Sequence, residues 1–321
     1  MRRGVAPAVV SLAGLLVVTG VVVGLVGTDR VPFLGGSDTC TATVGARSVT
    51  VSLEQAENAA LISAVAVQRG LPARAASIAL ATAYQESDLR NIEHGDRDSL
   101  GLFQQRPSQG WGEPDQVLDP TYATNAFYDA LVDVDGYRDL EITVAAQAVQ
   151  RSGFPDAYAD HEDDARVLAS ALTGQSRAAF ACDLSRSPDE ASPALTRSGL
   201  TERADAVRRD VREVFGDVPF GGFAPGGVST GHIEGSAHYE GRAVDVFFRP
   251  VNDANKTRGW AVAQYLVAHA DRLDVRTVIF DDRIWVAGRD GDGWRDYDAP
   301  DRAGDRAILE HRDHVHVDVH A

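Results

Sequence analysis

Seven of the nine histidines of this 321-residue chain fall in its last ninety residues, among them His232, His238, His311, His314, His316 and His320. The segment Ser236-Ala-His-Tyr-Glu-Gly-Arg-Ala-Val-Asp245 sets His238 and Asp245 seven apart, with Gly241 between them. A turn at that glycine would bring the imidazole back to a carboxylate carried on a strand. A third donor must come from elsewhere, and His314-Val-His316 can supply it, because alternate residues of a strand share a face. Two histidines and one carboxylate, with a position left open for water, form the donor set of a catalytic zinc ion. His232, His311 and His320 read as surface or supporting residues.

A second group lies earlier in the chain. The apolar stretch Ala81-Thr-Ala-Tyr-Gln-Glu86-Ser87 ends a helix on a carboxyl group, and Gly101-Leu-Phe-Gln104 follows. A carboxyl at the end of a mostly apolar helix can be partly desolvated, a setting that suits a general acid acting on a glycosidic oxygen. Asp96 and Asp98 are nearby carboxylates, read mainly as surface loop residues. Trp111 offers either an aromatic face for a sugar ring or a core side chain.

Both groups resemble known families. Ser236, His238, Gly241, Ala243 and Asp245 match the signature Ser-x-His-x-x-Gly-x-Ala-x-Asp of the zinc D-alanyl-D-alanine carboxypeptidases and L-alanyl-D-glutamate endopeptidases. That resemblance implies an α+β fold of the Hedgehog/DD-peptidase type. It implies that zinc is held by His238, Asp245 and His316, with Asp313 as the base that activates water. The related lysostaphin-type enzymes use a His-x-His, which would give the role of base to His314. A regular strand favours His314, and a bend at 313–314 favours Asp313, toward which the family pattern leans.

Glu86-Ser87, followed 18 residues after the glutamate by Gln104 of Gly-Leu-Phe-Gln, resembles the lysozyme-like lytic transglycosylases. The likeness to secreted actinobacterial lysozyme-like proteins extends over roughly residues 40–182. It implies that Glu86 is the acid/base and that Ser87, Gln104 and Trp111 belong to the glycan cleft. The family's third element, Ala-Tyr-Asn-x-Gly, has its nearest counterpart in Ala148-Val-Gln-Arg-Ser-Gly153, with Gln150 in place of Asn. Hydrolysis and anhydro-ring formation both stay open.

The elements that must position these residues fall into two blocks. Ser52 and Gln55 have the spacing of a capping box before Leu53, and Gly70 and Pro72 end that helix. Further helices are expected over 75–85, 120–134, 141–150 and 160–173, which makes residues 40–182 mostly α. Residues 183–198, with two prolines and four serines, read as a linker. Beyond it, a helix over 199–214, a glycine-rich stretch over 220–235, strands over 243–248, 276–280, 284–286 and 314–320, and a helix over 257–271 give an α+β block over 199–321. Cys40 and Cys182 flank the helical block, and a disulfide between them would clasp its ends, stabilising it by roughly a few kcal/mol.

The first thirty residues carry Arg2 and Arg3 and then no charge from Gly4 to Gly27. That run is long enough to span a bilayer, with the arginines on the cytoplasmic side and the rest of the chain outside. The expectation is a single-pass membrane anchor, with a cleaved signal peptide as the alternative. Export would permit the disulfide. Lys and Arg number 31 against 47 Asp and Glu, a net charge of −16, which disfavours binding to nucleic acid. Together these features predict a multidomain, membrane-anchored peptidoglycan hydrolase that cleaves glycan strands and stem peptides. The competing expectation is a non-catalytic or half-active wall-binding protein built from hydrolase folds.

Overall fold

The computed structural model describes residues 38–185, 188–289 and 291–321. The expected membrane helix lies outside the described residues. Among the described residues no helix is long and apolar enough to cross a membrane.

The first block begins with a β-hairpin that the sequence reading missed. Strand β1 (Thr39–Val44) turns at Gly45, where φ is 61°, into β2 (Arg47–Ser52). Cys40, Ala42, Val49 and Val51 are buried, and the threonines alternate with them. Strand β3 (Phe180–Asp183) pairs with the other side of β1, giving the order β2-β1-β3. Cys40 stands opposite Cys182 in that pairing, and the two form the expected disulfide.

Helix α1 (Leu53–Gln68) starts at the expected capping box: Ser52 accepts from the Gln55 N–H, and the Gln55 side chain accepts from the Ser52 N–H. Helix α2 (Ala73–Ser87) follows Pro72 and is buried continuously from Ala75 to Ala83. Its Ala, Ile and Leu side chains make it the centre of the block. The helices α3 (Pro114–Val117), α4 (Pro120–Val132), α5 (Ile142–Gln150) and α6 (Glu162–Leu172) complete the block, and α1, α4, α5 and α6 pack against α2.

The second block opens with α7 (Glu202–Phe215), capped by Thr201. Strands β4 (Phe220–Gly221), β5 (Ala243–Phe247), β6 (Val275–Phe280), β7 (Arg283–Val286), β8 (Arg295–Asp296) and β9 (His314–Val319) form an antiparallel sheet in the order β4-β5-β9-β6-β7-β8. The last strand in the chain is therefore inserted between β5 and β6. Helix α8 (Asp253–Ala268) lies between β5 and β6 in sequence, and the short α9 (Arg306–Leu309) precedes β9.

Helix α8 joins the two blocks. It is buried without interruption from Gly259 to Ala268, packing on β6 and β9 and also on α1, α6 and β3. At Gly259 a Cβ would lie 2.2 Å from the Phe280 ring, so the small residue lets helix and sheet approach. Gln264, fully buried, accepts from the Ala179 N–H at 2.8 Å and donates to the Ala171 carbonyl at 2.6 Å. An unpaired amide there would cost about 1–3 kcal/mol, so these bonds hold the seam. Trp294 Nε1 donates to the Phe180 carbonyl across the same seam.

The described residues of the segment read as a linker make contacts with the body. Leu184 is buried, the Ala191 N–H donates to the carbonyl of Ala321, and Arg203 donates to the carbonyl of Asp189.

Candidate metal centre and carboxylate site

Strands β5 and β9 place the first group. Their register puts Asp245 opposite His316 and Phe247 opposite His314. Strand β9 is regular from His314, so His314, His316 and Asp318 share one face. His238 arrives on a 3₁₀ turn, Ala237–Glu240, whose N-terminus is capped by Ser236. Gly241 ends that turn with φ 67°, and a Cβ there would lie 2.5 Å from Leu195 and 2.8 Å from the Gly199 carbonyl. The serine and glycine of the motif thus shape the turn that returns His238 to Asp245.

Three donor atoms converge. His238 Nε2 lies 3.3 Å from Asp245 Oδ1, His316 Nδ1 lies 3.2 Å from the same oxygen, and the two nitrogens are 3.1 Å apart. All three residues are buried. Bonds of ~2.0–2.1 Å in a tetrahedral zinc site put neighbouring donors ~3.3 Å apart, so this triangle fits that ion. His238 Nδ1–H donates to the Gly222 carbonyl at 2.8 Å, which leaves Nε2 free to ligate. Gly222 has φ 78°, and a Cβ there would lie 2.3 Å from His238 Cε1 and 2.9 Å from Asp245 Oδ2. Only glycine fits this cradle.

The electrostatics favour positive charge at the same place. Burial pushes the Asp245 carboxyl up, but hydrogen bonds to His238 and His316 outweigh it and hold the group well below the usual carboxylate range. Burial pushes His316 down, yet Asp245 and Asp318 reverse this and raise it to about 9. The Asp318 carboxylate lies 3.5 Å from His316 Nε2. Without a metal ion, a proton on His316 balances these carboxylates.

Of the two expected bases, His314 is the one turned toward the triangle. Its Nε2 lies 3.9 Å from Asp245 Oδ1, while its Nδ1 lies 2.7 Å from Asp313 Oδ1. Asp313 is buried, with its other oxygen accepting from Arg249 Nε at 2.6 Å. Burial raises the Asp313 carboxyl, but the bonds from His314 and Arg249 prevail and keep it below its ordinary value. An ionised carboxylate on Nδ1 fixes the tautomer that leaves a lone pair on Nε2. Asp313 precedes β9, and both oxygens of its carboxylate are engaged, one by His314 and one by Arg249.

The donors and His314 line a cleft of about 500 Å³, together with His232, Tyr297, Arg276, Arg302 and His311. His232 stacks on His238, with ring centroids 3.8 Å apart. His311 packs 4.6 Å from the His314 ring and 5.6 Å from that of His316. His232 and His311, expected to be surface or supporting residues, both line this cleft. The alternation His314-x-His316-x-Asp318 could have revealed Asp318. Gly222 and Arg249 carried no sequence signal. His320 lies near Asp274 and Arg276 at the far end of β9, and burial lowers its pKa.

The second group gathers at the end of α2. Glu86 is half-buried and accepts a hydrogen bond at 2.8 Å from Tyr158, whose phenol burial keeps protonated. Ser87 Oγ lies 2.8 Å from the Leu102 carbonyl, and Gln150, the last residue of α5, donates to the Phe103 carbonyl at 2.8 Å. Ser87 and Gln150 therefore hold the Gly101–Gln104 loop beside the glutamate. Phe103 stacks on Phe127 beneath it. Gln104 donates to the carbonyls of His94 and Gly101. Trp111 is half-buried against the core. Asp98 accepts from the Ser108 N–H and Arg106, bonds that lower its carboxyl pKa and brace its own loop, while Asp96 is exposed beside Arg97.

Residues 196–307 match the family model described as VldE, C-terminal domain. The match covers roughly a third of the chain. It takes in His238 and Asp245 but stops before Asp313, His314 and His316. No curated protein matches the chain.

Proposed function

We propose that this chain is an exported peptidoglycan hydrolase whose metal centre cleaves stem peptides. The observation that carries the reading is the triangle of His238, Asp245 and His316 on a cleft wall, with His314 Nε2 facing it. His238, Asp245 and His316 would hold zinc, which when bound polarises an amide carbonyl and acidifies water. His314 takes a proton on Nε2, and Asp313 stabilises the imidazolium that results. The disulfide supports export, since such bonds persist in oxidising compartments. The membrane anchor belongs to the same proposal.

For the helical block we propose glycan cleavage, with Glu86 as acid/base and Tyr158 holding its carboxyl in place. A second reading, a block that binds glycan without cutting it, is favoured by Gln150, whose amide is engaged with the Phe103 carbonyl. Digestion of purified peptidoglycan separates the two. Anhydro or reducing glycan ends that disappear in Glu86→Gln support cleavage; intact strands that co-sediment with the protein support binding alone.

A further inference from the structure

Arg249 sits between β5 and α8, touches Asp313 directly, and reaches the ring of His314 only through Phe247. Its Nε donates to Asp313 Oδ2 at 2.6 Å, while its guanidinium lies over the Phe247 ring, 4.1 Å from the centroid. The Phe247 ring in turn packs against the His314 ring at 5.7 Å, tilted by 51°. His314 Nδ1 then returns to Asp313 Oδ1 at 2.7 Å. The four side chains form a closed circuit: arginine to carboxylate, carboxylate to imidazole, imidazole to phenyl, phenyl to arginine.

We infer that Arg249 is a positioning residue that fixes the tautomer and ring orientation of His314 through Asp313 and Phe247. This rests on the reading of His314 as the proton acceptor. Asp313 is buried and has two oxygens to satisfy. With Arg249 in place, Oδ2 is held by a charge-assisted bond, and Oδ1 remains aimed at Nδ1. Without it, the carboxylate can rotate and offer either oxygen, or turn toward solvent. The imidazole then loses both the fixed acceptor for its Nδ1–H and the clamp on the phenyl ring beside it. His314 Nε2 would no longer be the obligatory lone pair on the cleft side. Arg249 also lines the cleft, and about half of its side chain is exposed, so contact with substrate is the competing role that a test must separate.

The test uses the full chain labelled with ¹⁵N-histidine, first free of metal. The wild type should show a slowly exchanging, downfield Nδ1–H resonance, assigned by its loss in His314→Gln. Arg249→Ala should lose that resonance or convert the ring to the Nε2–H tautomer. Arg249→Lys should keep it, because an ammonium can still pair with Asp313. In the zinc-loaded protein, kcat for a stem peptide should fall about 10–100-fold in Arg249→Ala, the usual range for a group supporting a metal site. KM and zinc content should stay near wild type, and the lysine variant should recover most of kcat. An unchanged Nδ1–H resonance in Arg249→Ala overturns the inference, as does a rise in KM with kcat preserved. A wild type that shows the resonance but cleaves no stem peptide would instead count against the peptidase reading alone.

Discussion

Asp245 and His316 face each other across the β5–β9 pairing, with Oδ1 3.2 Å from Nδ1 in the interior of the sheet. Burying a carboxylate costs several kcal/mol unless a partner compensates it, and the imidazoles of His316 and His238 do so here. A divalent cation satisfies all three donors at once. We expect about one zinc ion per chain after dialysis, absent from His316→Ala. Gly222→Ala should weaken zinc binding by about 10–100-fold, because its methyl group would displace His238. Retention of zinc by His316→Ala on elemental analysis would contradict this arrangement.

Zinc uptake should also be linked to protons. In the metal-free protein His316 is raised to about 9, so it carries a proton at pH 7 that the metal must displace. Because the proton competes with zinc, affinity should climb by about tenfold per pH unit below pH 9 and level off above it. Titration calorimetry in two buffers of different ionisation enthalpy should show release of about one proton at pH 7. A pH-independent affinity would exclude this competition.

At the end of α2 the expectation concerns one carboxyl group. Glu86→Gln keeps the shape and the partner Tyr158 but removes the transferable proton. Release of glycan fragments should fall at least about 100-fold, the lower range for a general acid, while cleavage of stem peptides should not change. Equal glycan release by wild type and variant would remove Glu86 from the chemistry.

The disulfide closes a span of 142 residues. On the loop-entropy argument, its loss should lower stability by roughly 4–5 kcal/mol. The Cys40→Ser, Cys182→Ser variant should therefore unfold at a distinctly lower denaturant concentration, and reductant should move the wild type toward the same midpoint. Coincident unfolding curves would show that β1–β3 pairing alone holds the ends together.

The grouping of the metal-type donors was more legible in the sequence than the architecture around them. His238, Gly241, Asp245 and the 314–316 alternation are local patterns, and a strand or tight turn converts each directly into geometry. Helix α1 announced itself by its capping box. Strand β1 did not, because its inward residues include Cys40 and Ala42, too small to give a strong alternation against threonine. The shared core was hidden for a similar reason: Gln264 looks like a surface residue until its amide meets the backbone of the other block. Arg249 and Gly222 act through contacts across about 64 and 16 residues of chain, respectively, and no spacing rule encodes those.

Cleavage of a purified stem peptide by the full chain, followed by mass spectrometry with and without zinc, tests the central claim most directly. We expect a single peptide bond to be cut by the zinc-loaded protein, with cleavage lost after chelation, restored by added zinc, and absent in His316→Ala. Cleavage that persists undiminished in the chelated protein and in His316→Ala, or no cleavage by wild type shown to hold its zinc, would contradict the account.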